Sequence, residues 1–525
     1  MSKAKLPIAV LSLTILILAI LALAPVTAQI TPDDARFGRL NSSSMLMPYK
    51  LAGGDTSQIM PLLESANQSV LLDPVNAYRG YTHALVLIAG KEWTPETELT
   101  TALDFSIQKK VLAPKELLQT RVTFLFDAPA AAGPYRLALD ILASDGTKVA
   151  AVEPGIALFD VKGRHSGETA GLIFDPSKLV GPGTHLLRAT LKNGEGADLF
   201  EYFRTFVIVK DLNKRLAASE QMLELLGAQQ SPAALTARYL LETIKLAHQT
   251  YLGGNFQNLT GYLHSAYRRR GNALFELMDF DAELERAGQL AAALKDGRDP
   301  LADARGDLRL AYRSNFDGKL VPYRLYLPKN YDQAKAYPLI ALLHGAGGDE
   351  NNFFDRYEKV WPKLAEERGY IIVAANGRGP TSNYLKENGA QQDVLDVISL
   401  MQANYHIDPA RLYLAGHSMG SAGTWFIGLE HRDRFAALAP IAGSKMLPFI
   451  ANGLNSGRKI PLIIVAGVKD AIVPVADCRE VAEKAKELGF DVKYLEYADG
   501  DHMSVAISSV KEIFDWFDSH RLTSP

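Results

Sequence analysis

The sequence predicts a multidomain protein in which an N-terminal β-sandwich-like region and a helical bridging segment precede a C-terminal α/β domain with a mainly parallel sheet. Three observations support this prediction. The chain has 525 residues, which is too many for one hydrophobic core. Its first part alternates apolar and polar residues, as half-buried strands do. Its last part contains short, continuous apolar runs separated by helical stretches.

The N-terminus has the pattern of an export signal. Two lysines precede an apolar run over residues 6–24, and Val26 and Ala28 stand at the small-residue positions of a cleavage site. This pattern predicts a signal peptide over residues 1–28, and therefore an exported protein, periplasmic or extracellular in a bacterium. The apolar run is nearly long enough to span a bilayer, so an uncleaved membrane anchor is the alternative.

Residues 29–210 are predicted to form a β-rich, immunoglobulin-like region. The stretch "YRLALDI" (135–141) alternates apolar and polar residues, and the turn sequence "SDGT" (144–147) follows it. A second alternating stretch ends in Asn193-Gly194, which is another hairpin signal. The spacing is typical of a sandwich. One sandwich and two smaller β-modules remain equally compatible with it.

Residues 211–300 are predicted to form a helical linker segment. Ser231 and Pro232 fit an N-cap and a first helical residue, and apolar residues then recur at helical spacing. Gly253-Gly254 fits a helix end. The segment contains no catalytic constellation, so we expect it to bridge the two domains.

Residues 305–525 are predicted to form the α/β catalytic domain. Runs such as "YPLIALLHG", "RLYLAGHS" and "PLIIVAG" are apolar on both faces, as strands of a covered parallel sheet are. The net charge of the chain is -3, so no basic field indicates a nucleic-acid partner. Cys478 is the only cysteine, which excludes an intramolecular disulfide and a cysteine-based metal site.

The candidate nucleophile is Ser418, in the stretch Gly416-His417-Ser418-Met419-Gly420. The motif G-x-S-x-G alone is a weak signal. Here a strand-like run precedes it and a helix-like run follows it, which is the setting of a nucleophile elbow. A serine at such a turn stands exposed at the carboxyl edge of the sheet, where it can attack a substrate.

The candidate partners of Ser418 are Asp470 and His502. A serine hydroxyl needs a base to accept its proton, and in this kind of fold the acid and the histidine follow the serine in that order. Asp470 follows the strand "PLIIVAG", and His502 follows the last strand. We therefore expect His502 to be the general base and Asp470 to orient its ring.

An oxyanion hole is expected from backbone N–H groups. The N–H of Met419, the residue after the nucleophile, is one predicted donor. The second is Ala346, with Gly347 as the alternative, in the glycine-rich loop "LLHGAGGDE". No Lys-Ser/Thr pair follows these glycines, which excludes a phosphate-binding P-loop.

The C-terminal domain resembles the α/β-hydrolases of the secreted esterase group, which includes polyhydroxybutyrate depolymerase-like proteins, feruloyl esterase-like proteins and predicted peptidases. The matching stretches include "YPLIALLHGAGGDENNFF", "RLYLAGHSMGSAGTW" and "GVKDAIVP". The resemblance covers nearly all of residues 308–517 and implies the same Ser-Asp-His triad. One departure is Ser421-Ala422, where Gly-Gly is commoner in the group.

The predicted activity is hydrolysis of carboxylic esters through an acyl-enzyme, with no metal or cofactor. The expected substrate is a small-molecule or polysaccharide-linked ester. We expect the loop over residues 376–392 to line its pocket. Tyr384 and Trp425 are candidate substrate contacts, although both residues could equally pack locally.

Two other functions are compatible with the sequence. One is a serine peptidase of the prolyl-oligopeptidase type, in which the N-terminal β-region restricts access to the site. The other is a catalytically dead hydrolase fold that acts as a binding module. The membrane is a predicted partner only if the signal segment is not cleaved, and the sequence does not indicate an oligomeric state.

Overall fold

The computed structural model divides into two compact units, the first formed by residues 1–211 and 246–277 and the second by residues 212–245 and 278–525. The residues that it describes are 53–127, 134–143, 145–158, 169–249, 279–379, 382–470 and 472–522, with scattered positions between 30 and 49. The predicted signal peptide lies outside these residues. Within them, no helix is long and apolar enough to cross a membrane.

In the continuous range that begins at residue 53, three helices precede the strands of the first unit: α1 (Ile59–Ser69), α2 (Pro74–Ile88) and α3 (Pro95–Ala102). This stretch lies within residues 29–210, which the sequence predicts to be β-rich, and it is helical instead. Two capping signals mark the helices. Asp73 accepts a hydrogen bond from the N–H of Asn76, and Thr94 forms a reciprocal capping pair with Thr97. A proline at the first position of α2 and of α3 completes each signal.

The described strands of the first unit form two packed sheets. One has the order β1-β3-β6 with β7 also paired to β3, and the other has the order β2-β9-β8-β4-β5. Side chains from both sheets, among them Phe105, Val122, Leu137 and Tyr202, share one core. The predicted β-sandwich-like region is therefore confirmed, while its immunoglobulin-like topology stays a prediction. The strands are β1 (Leu103–Ile107), β2 (Val111–Leu112), β3 (Leu118–Phe124), β4 (Tyr135–Leu142), β5 (Lys148–Leu158), β6 (Thr169–Ala170), β7 (Ile173–Phe174), β8 (Gly183–Lys192) and β9 (Asp198–Ile208).

The predicted helical segment contains α4 (Leu212–Leu225), α5 (Pro232–Gln249) and α6 (Phe280–Lys295). Most of it belongs to the second unit. The Oγ1 atom of Thr236 in α5 accepts a hydrogen bond from the N–H of Ala311 at 3.1 Å. Ala311 lies in β10, the edge strand of the C-terminal sheet. The segment therefore covers an edge that would otherwise expose unpaired backbone groups.

The second unit is built on an eight-stranded sheet with the order β10-β11-β13-β12-β14-β15-β16-β17. The pairs β10–β11 and β11–β13 are antiparallel and the other pairs are parallel. This confirms the predicted C-terminal α/β domain with a mainly parallel sheet. The strands are β10 (Gly306–Arg313), β11 (Leu320–Leu327), β12 (Tyr337–Leu343), β13 (Ile371–Ala375), β14 (Ile407–His417), β15 (Ala437–Ile441), β16 (Leu462–Gly467) and β17 (Val492–Tyr497).

Helices cover both faces of this sheet, which explains why its central strands are apolar throughout. On one face Val397, Trp425 and Val481 join the core, and on the other face Trp361 and Phe514 do. The carboxyl ends of the parallel strands are left free to carry the loops of the site. The helices are α7 (Asn352–Asp355), α8 (Val360–Arg368), α9 (Ala390–Asn404), α10 (Met419–Glu430), α11 (Pro448–Leu454), α12 (Val475–Glu487), α13 (Val505–Ser508) and α14 (Val510–Ser519).

Candidate active site

Ser418 lies at the sharp turn between β14 and α10. Its backbone has φ 58° and ψ −115°, a conformation that residues other than glycine rarely adopt. Two glycines make the turn possible. A Cβ atom at Gly420 would lie 1.9 Å from the carbonyl oxygen of Leu343, and one at Gly416 would lie 2.1 Å from that of Gly420. The two glycines of the motif are thus required by close backbone approach, and the serine is held in a strained conformation.

Ser418, His502 and Asp470 form a continuous chain of hydrogen bonds. The Oγ atom of Ser418 lies 2.9 Å from Nε2 of His502, and Nδ1 of His502 lies 2.8 Å from Oδ2 of Asp470. Because an ionised carboxylate can only accept, Nδ1–H donates to Asp470, and Nε2 is left to accept the serine proton. The structure therefore brings together the three residues that the sequence predicts, from three separate strand-end loops.

The second oxygen of Asp470 is also occupied. Oδ1 accepts hydrogen bonds from the N–H groups of Ile472 and Val473, at 2.8 and 2.9 Å. The Asp470 residue is 4% exposed, so its charge is shielded from solvent. These contacts fix the carboxylate plane toward His502.

The other acidic residues of this region have different partners. Asp499 is exposed and bonds to Lys469. Asp501 holds the loop of His502, because its Oδ1 accepts from the N–H groups of Met503 and Ser504 at 2.9 and 2.7 Å. Neither contacts the ring of His502 in the described hydrogen bonds.

His417, the neighbour of the serine, faces away from it. Its Nδ1 lies 2.8 Å from the hydroxyl of Tyr357, and its Nε2 lies 2.7 Å from the carbonyl oxygen of His502. Burial, and then the neighbouring His502 ring, lower the pKa of His417 to about 3. The imidazole therefore stays neutral and is not placed to accept the serine proton.

The glycine-rich loop after β12 packs directly against the elbow. A Cβ atom at Gly345 would lie 3.3 Å from Cβ of Ser418, so the following residue, Ala346, is adjacent to the nucleophile. Gly347 has φ 78°, which favours glycine. Met419 is the first residue of α10, where N–H groups lack intrahelical acceptors. The oxyanion-hole roles of these three residues stay predictions.

His344 braces the same loop. Its Nε2 lies 2.7 Å from the carbonyl oxygen of Asn376, and its Nδ1 lies 2.9 Å from that of Gly345. Burial lowers the pKa of this ring, and its contacts with the two carbonyl oxygens oppose that shift. The ring thus ties the loop after β12 to the loop after β13.

Tyr384 and Trp425 lie in the core instead of lining an open pocket. Tyr384 is 1% exposed, and its hydroxyl donates to the carbonyl oxygen of His344 at 3.3 Å. Trp425 is 0% exposed, and its Nε1–H donates to Oγ of Ser444 at 3.0 Å. Their placement supports local packing and gives no surface for the expected substrate contact.

The loop that begins at Asn376 is anchored by Arg378, a residue that the sequence does not predict to have a role. Its guanidinium bonds to Asp317 at 2.8 Å, to Asp393 at 2.9 Å and to the hydroxyl of Ser314 at 2.6 Å. The contact residues lie far apart in the sequence, so no local pattern marks them. Later in the same loop, the N–H of Asn383 lies 3.4 Å from the sulfur of Met419, which links the loop to the elbow.

Two further features concern other chemistry. Within the described ranges, no group of three or more His, Cys, Asp or Glu side chains is placed to hold a metal ion. Cys478 is buried, and burial raises the pKa of its thiol to about 11. This thiol is packed and protonated, as expected for a lone structural cysteine.

Comparisons with known proteins agree with the predicted resemblance. Residues 318–450 match the Esterase family, described as putative esterase. The bifunctional acetylxylan esterase/xylanase XynS20E of Neocallimastix patriciarum is 29% identical over 150 residues, which cover 28% of this chain and 21% of that protein. A probable feruloyl esterase C of Aspergillus terreus is 26% identical over 175 residues, which cover 32% of this chain and 62% of that protein.

The chain spans less than two thirds of the length of these relatives. Among solved structures, a thermostable esterase superposes with a TM-score of 0.37 and 16% identity, covering 79% of this chain and 99% of that one. The family match confirms the predicted resemblance to esterases over residues 318–450, and the predicted enzyme class, a carboxylic ester hydrolase, is the class of that family.

Proposed function

We propose that this protein hydrolyses carboxylic esters through an acyl-enzyme formed on Ser418. The observation that carries the proposal is the chain of two short hydrogen bonds from Ser418 through His502 to Asp470. The three side chains are at the carboxyl edge of the sheet, and they follow one another in the order of an α/β-hydrolase triad.

In the proposed mechanism, Oγ of Ser418 attacks the ester carbonyl carbon while Nε2 of His502 accepts the serine proton. The buried carboxylate of Asp470 holds Nδ1–H and stabilises the imidazolium that forms. The tetrahedral intermediate collapses, its C–O bond to the alcohol breaks, and His502 returns the proton to the departing alcohol oxygen. A water molecule, deprotonated by the same ring, then attacks the acyl carbon. The bond from that carbon to Oγ of Ser418 breaks, His502 returns the proton to Oγ, and the acid is released.

The developing oxyanion would be held by backbone N–H groups. Met419 begins α10, so its N–H points out of the helix N-terminus, where negative charge is favoured. Ala346, with Gly347 as the alternative, would supply the second donor from the loop that packs on the elbow. Donors that belong to packed backbone need no reorganisation when the charge appears.

We further propose that the ester is an acetyl or feruloyl group carried by a polysaccharide. The support is the naming of the two relatives above, an acetylxylan esterase/xylanase and a probable feruloyl esterase.

The proposed location is outside the cytoplasm, because residues 1–28 have the composition of a signal peptide. Fractionation of the cells that produce the protein, followed by N-terminal sequencing, tests the location: recovery outside the cytoplasm supports it, with a start at Gln29 showing cleavage, and recovery in the cytoplasm contradicts it.

The test of the activity compares ester and amide substrates on the same protein. Turnover of p-nitrophenyl acetate, methyl ferulate and a peptide p-nitroanilide is measured for the wild type, Ser418→Ala and Ser421→Ala. Ser421 is a matched control, because it lies in the same helix turn, is 0% exposed, and its hydroxyl has no hydrogen-bond partner among the described residues.

We expect ester turnover by the wild type and by Ser421→Ala, and none above background by Ser418→Ala. Amide turnover that exceeds ester turnover would favour a peptidase of the prolyl-oligopeptidase type. Absence of turnover together with absence of fluorophosphonate labelling at Ser418 would favour a dead hydrolase fold that acts as a binding module.

A further inference from the structure

A buried chain of hydrogen bonds joins Tyr357 to the main chain of His502 through His417. The hydroxyl of Tyr357 lies 2.8 Å from Nδ1 of His417, and Nε2 of His417 lies 2.7 Å from the carbonyl oxygen of His502. The three residues are 1%, 2% and 8% exposed. Water therefore does not compete for these bonds, and each one lost would leave a buried polar group unpaired.

The direction of each bond is determined by chemistry. A carbonyl oxygen only accepts, so Nε2 of His417 carries the proton and donates to His502. Because the ring is neutral, Nδ1 has no proton and accepts from the hydroxyl of Tyr357. Tyr357 therefore selects the tautomer of His417 that can hold the His502 carbonyl.

Packing holds the ring of His417 in this position. It meets the ring of Tyr357 edge-on, with centroids 5.6 Å apart, and lies 4.8 Å from the ring of His502. Above it, a Cβ atom at Gly345 would lie 3.2 Å from Nδ1. The imidazole of His417 therefore contacts His502, the predicted base, and lies against Gly345, in the loop of the predicted oxyanion hole. His417 also directly precedes the nucleophile Ser418 in the chain.

We propose that His417 is a positioning residue that fixes the backbone of His502, with Tyr357 fixing His417. The inference rests on the proposed function, because the position of His502 affects catalysis only if His502 accepts the serine proton. The loop has a second anchor at Asp501, which binds the N–H groups of Met503 and Ser504. His417 supplies the one contact that reaches the His502 carbonyl itself in the described hydrogen bonds.

The neutrality of His417 also suits the reaction. When His502 takes up the serine proton it becomes a cation, and a second cation at this distance would oppose that step. A neutral donor that never releases its proton holds the carbonyl in every state of the cycle. A lysine or arginine in this place would hold the same oxygen but would repel the imidazolium.

The experiment uses the full-length protein with the variants His417→Gln, His417→Leu and Tyr357→Phe. Glutamine keeps a donor and an acceptor, and leucine keeps neither. Tyr413→Phe is the matched control, since Tyr413 is also buried, and its hydroxyl lies 2.7 Å from the main-chain carbonyl oxygens of both Phe517 and His520 and can donate to either. Labelling with a fluorophosphonate counts the competent sites, and kcat and KM for p-nitrophenyl acetate are then expressed per labelled site.

We expect His417→Leu to lower kcat per site by about 10- to 100-fold with little change in KM, because misplaced catalytic groups slow the chemical step. Tyr357→Phe should lower it by about 3- to 10-fold, since one hydrogen bond is lost. His417→Gln should have a kcat per site within about threefold of the wild-type value, because glutamine keeps a donor and an acceptor. Tyr413→Phe should lower the melting temperature and leave kcat per site unchanged.

Two outcomes overturn the inference. One is a fall in the number of labelled sites with a normal rate per site, which is the result of a purely structural role. The other is a glutamine variant as impaired as leucine. If His417→Leu does not fold, the values of kcat per labelled site for Tyr357→Phe and His417→Gln test the inference. If the wild type is labelled but does not turn over the ester, the proposed function fails, and the labelling rates of the same variants still test the inference. If Ser418 is not labelled at all, both fail.

Discussion

The Oδ2 atom of Asp470 lies 2.8 Å from Nδ1 of His502, and both residues are buried. The bond determines which nitrogen of the ring carries a proton, and so which nitrogen is free to face Ser418. The other carboxylate oxygen is held by two backbone N–H groups. Asp470 is thus oriented by the main chain, and in turn it orients the ring.

Replacing Asp470 with asparagine should abolish most activity without unfolding the protein. The amide oxygen can still accept from the N–H groups of Ile472 and Val473, but the amide nitrogen would face Nδ1 and favour the wrong tautomer of His502. We expect kcat for p-nitrophenyl acetate to fall by about 10⁴-fold. Asp499→Asn is the control, because Asp499 is exposed and bonds only to Lys469 in the described contacts. A fall of less than about tenfold in Asp470→Asn would contradict the orienting role.

Adding a methyl group at Gly420 should destabilise the second unit strongly. The new Cβ atom would lie 1.9 Å from a carbonyl oxygen of β12, so the elbow would have to move. We expect Gly420→Ala to lower the free energy of unfolding by about 3 kcal/mol or more. Gly288→Ala, in α6, is the control. Its Cβ atom would lie 3.5 Å from Oγ of Ser219, an ordinary van der Waals distance. Alanine in place of glycine in a helix should raise the free energy of unfolding by about 0.5 to 1 kcal/mol. Equal melting temperatures for the two variants would show that the close approach is absent.

The carboxyl group of Glu350 should make the stability depend on pH. Burial, and then the charge of Asp349, raise the pKa of Glu350 to about 7 from its ordinary 4.5. Between these pH values the folded protein binds a proton that the unfolded chain has lost. Stability contributed by this group is therefore present at the acidic end and decreases as the pH rises toward 7.

Thermal unfolding from pH 5 to pH 8 measures this effect. Relative to Glu350→Gln, the wild type should lose about 5 °C or more of melting temperature across the range. Glu387→Gln, a change at an exposed site, should follow the wild type. A Glu350→Gln curve parallel to that of the wild type would contradict the raised pKa.

Replacing only one partner of the ion pair between Arg378 and Asp393 should lower the free energy of unfolding more than replacing both. The side chain of Asp393 is 0% exposed, and that of Arg378 is 15% exposed. Burial raises the pKa of Asp393 even though Arg378 opposes the shift. Arg378→Met should therefore cost about 3 kcal/mol of unfolding free energy by leaving a buried carboxylate unpaired. The double variant Arg378→Met/Asp393→Leu should recover most of that loss in urea unfolding. A double variant no more stable than the single one would contradict this reading.

The sequence was sufficient for the features that local pattern and chain order determine. Ser418, Asp470 and His502 could be placed because each follows a recognisable strand, and the carboxyl ends of parallel strands meet at one edge of the sheet. The helices α1, α2 and α3 were not predicted, although Asp73-Pro74 and Thr94-Pro95 mark the starts of α2 and α3. Those signals are short, and the alternating segments that follow outweighed them.

Contacts between distant parts of the chain could not be predicted in this way. The bond from Tyr357 to His417 joins residues 60 apart, and that from His417 to His502 joins residues 85 apart. The burial of Tyr384 likewise depends on how its loop folds back on the sheet, and its residue type alone suggested a substrate contact. Such features depend on the register of packed elements, which hydrophobic periodicity does not encode.

The acyl-enzyme on Ser418 is the central proposal, and trapping it is the most direct test. The wild type is mixed with p-nitrophenyl acetate, quenched in acid within the first turnover and digested for mass spectrometry. We expect a burst of p-nitrophenol equal to the number of sites, together with an acetyl group on the peptide that contains Ser418, and neither in Ser418→Ala. Steady ester hydrolysis without an acetylated Ser418 peptide, or hydrolysis that persists in Ser418→Ala, would contradict the proposal.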